Sequence, residues 1–508
     1  MKRTLVSLLT LLTLSGLSVF TSCQKDTPGD GTQFRATMEP AADGKTVLSG
    51  TALNWVEGDQ VAIYGTAGRG LYTAIPQTPA TIATLNNVSG ETGDGPFRAF
   101  YPASLTTDGV TITLPAAQTY VEGSINEFPM YAESATNQLA FKNLCGVLKL
   151  HLTKANTNIS NIEIVTNSIA NGVFSVSFSN GEPALVPVSG GTYSVVLTCQ
   201  SPQDISEGAD FFIYLPATVD SIKSIIITSN DNRYCRKVVK QTSHITISRS
   251  RYTTVTFDEN DLVFCPIGSE GGLFTINSEG DQVWFSQGNL QYQASTNTWR
   301  FAEHQYDIVG NGNNYISPTY TGWIDVFGWG TGNNPTNTSN NDADYGVFVD
   351  WGSNPISNGG NVPNQWRTLT SSEWNYIIFD RSNALAKKGA CQINGVNGVI
   401  LLSDNFVLPS GCSFNPGFGH GWTYNTYTIE QWELMEEAGA FFFPAAGQYR
   451  YYNYGNIGIT VRYWTSTMTQ PYNADRLWSD SAEGLSANPG SGWFNHSRFS
   501  VRLARDND

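Results

Sequence analysis

Short alternations of hydrophobic and polar residues dominate the chain between Phe34 and Asp258. Segments such as GDQVAIYG, GVTITLP, GVLKLHLT, DFFIYLPA and KSIIITSNDN are bounded by turn-forming residues. Alternation with a period of two is typical of strands that bury one face, whereas the 3.6-residue period of helices is scarcely visible. The pattern predicts two consecutive β-sandwich subdomains, residues 34–137 and 138–258.

The second half of the chain follows a different pattern. Most of the 13 tryptophans lie beyond residue 280, and strand-like segments are separated by long stretches rich in Gly and Asn. Two segments have helical character: SSEWNYIIFDRSNALAKK, Ser371 to Lys388, and TIEQWELMEEAG, Thr428 to Gly439. The sequence predicts an α+β domain over residues 273–508, joined to the second sandwich by a linker at residues 259–272. The chain as a whole is predicted to be mainly β.

The boundaries of the two helices are predicted from their capping residues. Ser371 or Ser372 can cap the first helix, and Glu373 then lies in its first turn, where a negative charge is favourable. Gly439 is predicted to end the second helix, because glycine adopts the left-handed conformation that follows a helix.

The first residues of the chain are typical of an export signal. A basic pair precedes an apolar run from Leu5 to Phe20, which ends in the residues TSC. Small residues before Cys23 resemble a bacterial lipobox, which predicts acylation of Cys23, a signal peptide at residues 1–23 and a tether at residues 24–33. The alternative is an ordinary cleaved signal with an incidental cysteine. Because no other segment is apolar for about 18 residues, membrane contact is expected through the lipid alone.

The composition argues against several kinds of partner and cofactor. The net charge is −15 and charged residues make up 14% of the chain, whereas a nucleic-acid partner requires a basic surface. Six cysteines follow Cys23 without any C-x-x-C pair, so no zinc site is predicted. Cys391 and Cys412 are the closest pair; a disulfide and buried free thiols both remain open. No cofactor is predicted.

The acidic and histidine residues also form no catalytic or metal-binding motif. The five histidines are dispersed, and no zinc-protease, nucleophile-elbow or phosphate-loop pattern is present. Four acids of the second half have side chains that calcium accepts, but scattered surface acids are usually just solvated. They are Asp404, Asp475, Asp480 and Glu483. No metal site and no catalytic residue is therefore predicted.

Several segments of the first half resemble one family. They are LNWVEGDQVAIYG, FRAFYPASL, LAFKNLCGVLKLHL and FFIYLPA. In this order they resemble the fimbrillin-like surface lipoproteins of Bacteroides-type bacteria. The resemblance implies two transthyretin-like β-sandwich subdomains. It also implies cleavage after an arginine in the first strand, which lets a strand from another subunit fill the opened groove. Arg35 is the candidate cleavage site; the alternative is a plain solvated arginine.

The second half resembles the C-type-lectin-like domains of bacterial surface proteins, which share a fold with formylglycine-generating enzymes. The matching segments are WRTLTSSEW, YWTST and SVRLARD. The resemblance implies that their large side chains are scaffold: Trp366, Trp374, Trp464 and Arg502. The enzymes of this fold need a late pair of cysteines, but no cysteine follows Cys412. The calcium-binding triplets of animal lectins are also missing, so an enzyme is not expected.

Aromatic and small polar residues crowd the late loops of this domain. YYNYGNIGITVRYWTST, which begins at Tyr451, is nearly uncharged. Such residues are typical of binding surfaces, because aromatic rings give contact area at little entropic cost and small polar groups adapt their hydrogen bonds. The alternative is that they are half-buried strand residues. The predicted ligand-binding residues are Tyr451, Tyr452, Tyr454, Tyr472, Trp478 and Trp493.

These features together predict a lipid-anchored protein of the outer membrane surface. Its expected partners are other fimbrial subunits, by strand exchange, and a glycan or surface protein. The segment SVRLARDND resembles a core strand that cannot be donated onward, which favours a fimbrial tip adhesin. The alternative is a surface glycan-binding lipoprotein that never enters a pilus, and a less favoured one is an enzyme of the formylglycine-generating type.

Overall fold

The computed structural model describes residues 33–39, 53–125, 127–153, 156–179, 181–239, 245–450, 453–487, 490 and 492–507. Strands dominate this part of the chain, so the prediction of a mainly β protein is confirmed. The predicted sites at Cys23, Tyr451 and Tyr452 lie outside the described residues. Neither α-helix of the described part is long and apolar enough to span a membrane.

Seven strands of the first unit close into a barrel. The strands up to residue 143 are β1 (Phe34–Met38), β2 (Gln60–Tyr64), β3 (Arg69–Pro76), β4 (Ile82–Ser89), β5 (Phe97–Tyr101), β6 (Thr111–Leu114), β7 (Ala117–Thr119), β8 (Met130–Ser134) and β9 (Gln138–Asn143). The order around the barrel is β1-β4-β3-β2-β5-β8-β9. It closes because β1 pairs antiparallel with β4 and parallel with β9. β9 begins at residue 138, so the barrel continues past the predicted boundary to Asn143.

The second unit is built from two facing sheets. Its strands are β10 (Cys145–Leu152), β11 (Asn158–Thr166), β12 (Gly172–Ser179), β13 (Glu182–Ser189), β14 (Ser194–Asp204), β15 (Ala209–Pro216), β16 (Ile222–Ser229), β17 (Arg233–Val238), β18 (Tyr252–Phe257) and β19 (Cys265–Pro266). One sheet has the order β15-β10-β18 and the other β19-β17-β16-β11-β14-β7. Leu, Ile and Val side chains from both sheets form one buried core, as alternation in each strand predicts.

The first two units exchange strands. β7 extends the large sheet of the second unit by pairing with β14, and β6 pairs with β12 of the β12–β13 hairpin. The inward side chains of that hairpin, Phe174 and Leu185, join the core of the barrel. The two units therefore share strands of their sheets and residues of their cores.

Among its described residues, the C-terminal domain contains many short strands and two α-helices. Its strands are β20 (Ser269–Thr275), β21 (Gln282–Ser286), β22 (Leu290–Gln293), β23 (Thr298–Phe301), β24 (Trp323–Ile324), β25 (Lys388–Ile393), β26 (Val396–Leu402), β27 (Thr426–Tyr427), β28 (Ala440–Pro444), β29 (Gln448–Arg450), β30 (Asn453–Gly455), β31 (Val461–Gln470), β32 (Asn473–Ser479), β33 (Trp493–Phe494) and β34 (Ala504–Asp506). β34 pairs with β21 in the sheet β20-β21-β34. The predicted linker region contains β19 and the start of β20, so it is an ordered connection.

The first predicted helix is shorter than expected. α1 spans Ser371–Asn375 and continues as a single π-helical turn to Asp380, instead of reaching Lys388. Its cap is Thr370 and not a serine: the Thr370 hydroxyl accepts a hydrogen bond from the Glu373 N–H at 3.2 Å, and the Glu373 carboxylate accepts one from the Thr370 N–H at 2.7 Å. The helix ends because Arg381 is extended and its guanidinium donates to the Ile377 carbonyl at 2.8 Å.

The second predicted helix is confirmed. α2 spans Ile429–Glu437, with Thr428 as its cap and a reciprocal hydrogen bond to Gln431. Gly439 follows with a φ of +97°, the left-handed conformation that favours glycine at the end of a helix.

Acidic side chains of α2 contact basic side chains of the second unit. The Lys223 Nζ lies 2.9 Å from a Glu433 oxygen, and the Arg236 Nη1 lies 3.4 Å from a Glu436 oxygen. The Lys237 Nζ lies 2.7 Å from a Glu437 oxygen, completing the set. The three acids are spaced three and four residues apart, so they share one face of the helix. These contacts dock the C-terminal domain on β16 and β17.

Candidate functional site

The end of the sheet β31-β32-β33 holds Tyr472, which is the most exposed of those predicted ligand-binding residues that the structure describes. Tyr472 lies in the turn between β31 and β32, with a φ of +72°, and its carbonyl accepts a hydrogen bond from the Asn495 N–H at 3.0 Å. β33 pairs with the start of β32, so that Phe494 lies opposite Asn473 and Trp493 lies opposite Ala474. The sheet thus brings Tyr472 and Trp493, which are 21 positions apart in the sequence, to one edge.

These residues lie at one end of the sheet but on both of its faces; we call the group the aromatic edge and define it as Tyr472, Trp493, Phe494 and His496. Tyr472 is 49% exposed and Phe494 is 43% exposed, whereas Trp493 is half-buried. The Phe494 ring stacks on the His496 imidazole with 5.6 Å between ring centroids. The imidazole is held in turn by Asp342, whose carboxylate oxygen lies 2.9 Å from the His496 Nδ1. The edge therefore presents aromatic surface on a fixed base.

Two arginines contact the indole of Trp493. The Arg476 Cζ lies 4.2 Å from the ring centroid and the Arg462 Cζ lies 5.2 Å from it. Both distances are in the range of cation–π attraction, which is strongest for tryptophan. The cations hold the indole in place and occupy part of its ring surface. Trp493 is consequently a less open stacking platform than the sequence indicated.

Tyr454 is a core residue and differs from the predicted exposed position. Its side chain is 5% exposed, and its hydroxyl donates a hydrogen bond to the Ala446 carbonyl. Burial, with a contribution from the negative charge of Asp325, raises the pKa of the Tyr454 hydroxyl far above its ordinary value. The β29–β30 hairpin turns this ring inward because Tyr454 pairs with Tyr449 and its N–H donates to the Asn314 side chain at 3.2 Å. In this conformation the ring offers no surface to a ligand.

Trp478 is separated from the aromatic edge. It lies near the other end of β32, five residues beyond Asn473, a distance of about 17 Å along a strand. Its backbone N–H and carbonyl both bond with Ser486, and its cross-strand neighbour is Arg462. The side chain is half-buried. A single small ligand therefore cannot contact Trp478 and Tyr472 together.

The residues predicted to be scaffold are buried. Arg502 is 1% exposed and donates to the carbonyls of Phe442 at 2.6 Å and Ser286 at 3.2 Å. Burial lowers the pKa of its guanidinium to about 10. The three motif tryptophans are also buried, so the prediction of a structural role is confirmed: Trp366, Trp374 and Trp464.

Arg35 lies inside β1. Its side chain is exposed, but its N–H donates to the Asn137 carbonyl at 2.9 Å and its backbone pairs with β4 and β9. The neighbouring side chains, Phe34 and Ala36, are buried in the barrel. A protease must bind the residues around its target bond as a free extended segment, so β1 has to leave the sheet before the bond after Arg35 can be cut.

The potential metal ligands and thiols of the described residues are dispersed. Within the described ranges, no group of three or more His, Cys, Asp or Glu side chains is arranged to hold a metal ion. Asp404 pairs with Arg381 at 2.9 Å instead. Cys391 and Cys412 are both free thiols, as are the other four cysteines of the described part.

Phe494 and His496 belong to the aromatic edge but are missing from the residues predicted from sequence. The signal was present in the segment GWFNHS, where Phe494 directly follows Trp493. In a strand, neighbouring residues point to opposite faces, so the choice of Trp493 alone left the other face without a candidate.

No protein-family model and no curated protein sequence matches the chain. A solved structure from Bacteroides uniformis, provisionally assigned to cell adhesion, is 18% identical with a TM-score of 0.30; the match covers 46% of this chain and 95% of that chain. A fimbrial protein from Bacteroides ovatus is 9% identical with a TM-score of 0.22, covering 94% and 99% of the two chains. A fimbrial assembly protein from Parabacteroides distasonis is 9% identical with a TM-score of 0.24, covering 50% and 95%.

Proposed function

We propose that the protein is an exported fimbrial surface protein whose C-terminal domain binds a glycan or a surface protein through the aromatic edge. The observation that carries the proposal is the exposure of Tyr472 and Phe494 on a sheet whose inner side chains lie in a buried core. Exposed aromatic side chains on a rigid base are typical of binding surfaces, because little entropy is lost when they make contact. No catalytic role is proposed for these residues.

The binding proposal is tested with alanine substitutions in the full-length protein. A glycan array first identifies a ligand, and Tyr472→Ala and Phe494→Ala are each expected to weaken its binding by about 1–2 kcal/mol. Phe178→Ala is the matched control, because Phe178 is 46% exposed on β12, in the other half of the protein. Equal binding by all three variants would contradict the proposal.

The proposed fimbrial role concerns β1. Loss of this strand would leave β4 and β9 with unpaired backbone groups on both sides of a cleft, which is a template for a strand from another subunit. β34 is bonded within its own sheet, and the Arg367 N–H donates to the Ala504 carbonyl at 2.8 Å. The protein would then accept a strand from another subunit at β4 and β9 but would not donate β34 to a further subunit. A subunit of that kind fits the terminal position of a fibre.

A specific observation favours the alternative, a surface lipoprotein outside any pilus. The bond after Arg35 is held in a strand that is paired on both sides, which protects it from proteolysis. N-terminal sequencing distinguishes the two roles: a chain in fibres that begins at Ala36 supports assembly after cleavage. A chain that is found only in membranes and begins at Cys23 supports the alternative. Gold labelling along the whole length of fibres, rather than at their ends, would remove the tip assignment.

The proposed anchor is an acyl group on Cys23. Two or more acyl chains hold a soluble protein stably on a membrane. Cys23→Ala is therefore expected to release the protein from the outer membrane or to leave it unprocessed. Metabolic labelling with palmitate measures this directly, and equal incorporation into the variant would exclude Cys23 as the acylated residue.

A further inference from the structure

We propose that the contact between the second unit and the C-terminal domain responds to protons: a protonated Glu270 carboxyl keeps the two parts docked, and its ionisation loosens them. We call this contact the acidic joint and define it as Glu270, Glu433, Glu436 and Glu437 with Lys223, Arg236 and Lys237. The acidic joint is separate from the aromatic edge and from β1, and the proposal does not depend on the function proposed for either.

Glu270 lies in β20, where this strand meets the end of α2. A Cβ on the next residue, Gly271, would overlap the Glu436 carbonyl oxygen, so the strand and the helix are in close contact there. The side chains of Glu270, Glu436 and Arg236 line one cavity of about 370 Å³ between the second unit and the C-terminal domain. Glu270 is half-buried, and the cavity gives water a route to exchange a proton with its carboxyl.

Glu270 lacks the counter-charge that the acids of α2 have. Glu433, Glu436 and Glu437 each contact a basic side chain of β16 or β17. Arg236 is already engaged, with one nitrogen 3.6 Å from Glu433 and another 3.4 Å from Glu436. Glu270 itself forms no ion pair with any residue that the structure describes. An ionised Glu270 would add an unpaired negative charge beside Glu436 in a shielded contact, which is costly.

Three neighbours of Glu270 in the second unit carry no charge. Tyr234 of β17 lies opposite Cys265 of β19, and Cys235 follows Tyr234 in the same strand. Burial raises the pKa of all three groups above their ordinary values, so they stay protonated. The remaining charged pair beside β20 is that of Arg381 and Asp404, at the other end of the strand.

The charged neighbours of Glu270 do not balance its carboxyl. Asp261 lines a second, smaller cavity with it, and Glu303 and His304 line the larger one. The charge of His304 acts on Glu436. Arg502 acts on both carboxyls but donates its hydrogen bonds to backbone carbonyls. Even with a protonated His304, carboxyl groups outnumber cations among the described residues around the joint.

The direction of the pH effect follows from the surroundings of Glu270. Burial raises the pKa of its carboxyl well above the ordinary value of 4.5; the charge of Glu436 adds to the rise, and that of Arg236 opposes it. The docked state therefore holds the proton more tightly than a separated, solvated carboxyl does. The contribution to docking is fully present below about pH 4.5 and is lost as the pH rises through the raised pKa. The C-terminal domain is thus held firmly in acid and is freer to reorient at higher pH.

Hydrogen–deuterium exchange of the full-length protein between pH 5 and pH 8 tests the proposal. The amides to follow are those of β17 and α2, because the Val238 N–H donates to the Glu437 carboxylate at 2.7 Å across the joint. After correction for the intrinsic exchange rate, wild-type protection is expected to fall at least about tenfold, since each unit of pKa shift corresponds to a factor of ten. Glu270→Gln cannot ionise and is expected to keep at pH 8 the protection that the wild type has at pH 5. Glu270→Met is a second neutral variant with the same expectation.

Control variants and an internal reference separate the joint from other effects. Glu279→Gln removes an exposed carboxyl from the turn after β20, and His304→Gln removes the histidine; both are expected to keep the pH dependence of the wild type. Amides of β10, in the core of the second unit, are expected to stay equally protected throughout. Wild-type protection of the joint that does not change with pH would overturn the proposal. So would a fall in Glu270→Gln equal to that of the wild type, its disappearance in His304→Gln, or an equal fall in β10.

Discussion

At the scale of the residue, identical side chains have opposite roles according to their surroundings. Tyr454 and Tyr472 are both flanked by asparagine, yet Tyr454 is 5% exposed and Tyr472 is 49% exposed. The buried hydroxyl bonds to the Ala446 carbonyl. The exposed ring stands on a turn with a positive φ. One residue stabilises the fold, and the other is available to a partner.

Removing the hydroxyl group of each tyrosine tests whether Tyr454 stabilises the fold and Tyr472 does not. Tyr454→Phe leaves the buried Ala446 carbonyl without its donor, and we expect the free energy of unfolding to fall by about 1–2 kcal/mol. Tyr472→Phe removes a solvated hydroxyl, and we expect a change below about 0.5 kcal/mol. Urea unfolding of both variants measures the difference, and equal values would contradict the burial of Tyr454.

A second residue-scale prediction concerns Asp325, which lies beneath the β29–β30 hairpin. Burial raises the pKa of its carboxyl to about 6 from an ordinary value of 3.8, although the Val309 N–H and the Asn313 amide donate to it. Because the folded pKa exceeds the unfolded one, the folded protein holds the proton more tightly. The protonated Asp325 carboxyl therefore contributes stability to the folded protein that is fully present below about pH 4 and is lost as the pH rises through 6.

Asp325→Asn is the matched variant, since it cannot titrate. We expect the free energy of unfolding of the wild type, minus that of Asp325→Asn, to fall by about 3 kcal/mol between pH 4 and pH 7. Tryptophan fluorescence reports on the right domain, because every tryptophan except Trp55 lies beyond residue 280. Curves of stability against pH that run parallel for the two proteins would exclude Asp325 as the titrating group.

At the scale of the element, β1 is the strand that decides whether the barrel is closed. It is five residues long, and its buried Phe34 lies opposite Leu85 of β4. A strand of only five residues is held by few backbone hydrogen bonds, and such short elements open before the rest of a fold does. Cleavage after Arg35 should therefore be limited by how often β1 leaves the sheet.

Weakening the packing under β1 tests whether the strand must leave the sheet before the bond after Arg35 is cleaved. Leu85→Ala keeps the cleavage sequence intact but removes buried contacts of β1, at a cost of about 2–4 kcal/mol. We expect an arginine-specific protease to cut after Arg35 at least about tenfold faster in this variant, because the open state is more populated. Leu148→Ala in β10 is the control, since Leu148 is equally buried but lies in the core of the second unit. Similar acceleration in both variants would argue against local opening of β1.

At the scale of the whole molecule, an ionic interface connects the second unit to the C-terminal domain. The side chains of Glu433 and Glu436 are only 11% and 7% exposed, and Arg236 contacts both. Burial raises the pKa of the Glu436 carboxyl, while the charge of Arg236 opposes that rise. A shielded set of opposite charges specifies the relative orientation of two docked domains, because another docked arrangement would bury charges without their partners.

Removal of the shared cation should uncouple the two parts. We expect Arg236→Met to destabilise the docked state by about 3 kcal/mol, since the shielded Glu436 carboxylate loses its counter-charge and Glu433 keeps only Lys223. Calorimetry should then resolve separate unfolding transitions, and proteolysis within residues 259–272 should accelerate. Lys142→Met is the control, because Lys142 and its partner Glu182 are 34% and 50% exposed and such pairs contribute little. A single transition in both variants would mean that the charges do not hold the domains together.

The mainly β character of the chain, several of its strands and the second helix follow from the sequence alone. In Cys145–Leu152 the alternation of three leucines with Lys149 and His151 depends only on local spacing, and it predicts which side chains face the core of the second unit: Leu148, Leu150 and Leu152. The cap at Thr428 and the stop at Gly439 are likewise local. The motif residues Trp374 and Trp464 are buried as the resemblance implied.

Only the tertiary structure decided which strands pair and which aromatic residues are exposed. β1 closes the barrel against β9, about a hundred residues later in the chain, and β7 crosses into the sheet of the second unit. The pattern of a strand fixes the faces of its side chains but not its neighbours, so pairings at this separation leave no local signal. For the same reason Tyr454 and Tyr472 could not be distinguished in advance, because burial depends on contacts with residues far away in the sequence, such as that of Tyr454 with Asn314.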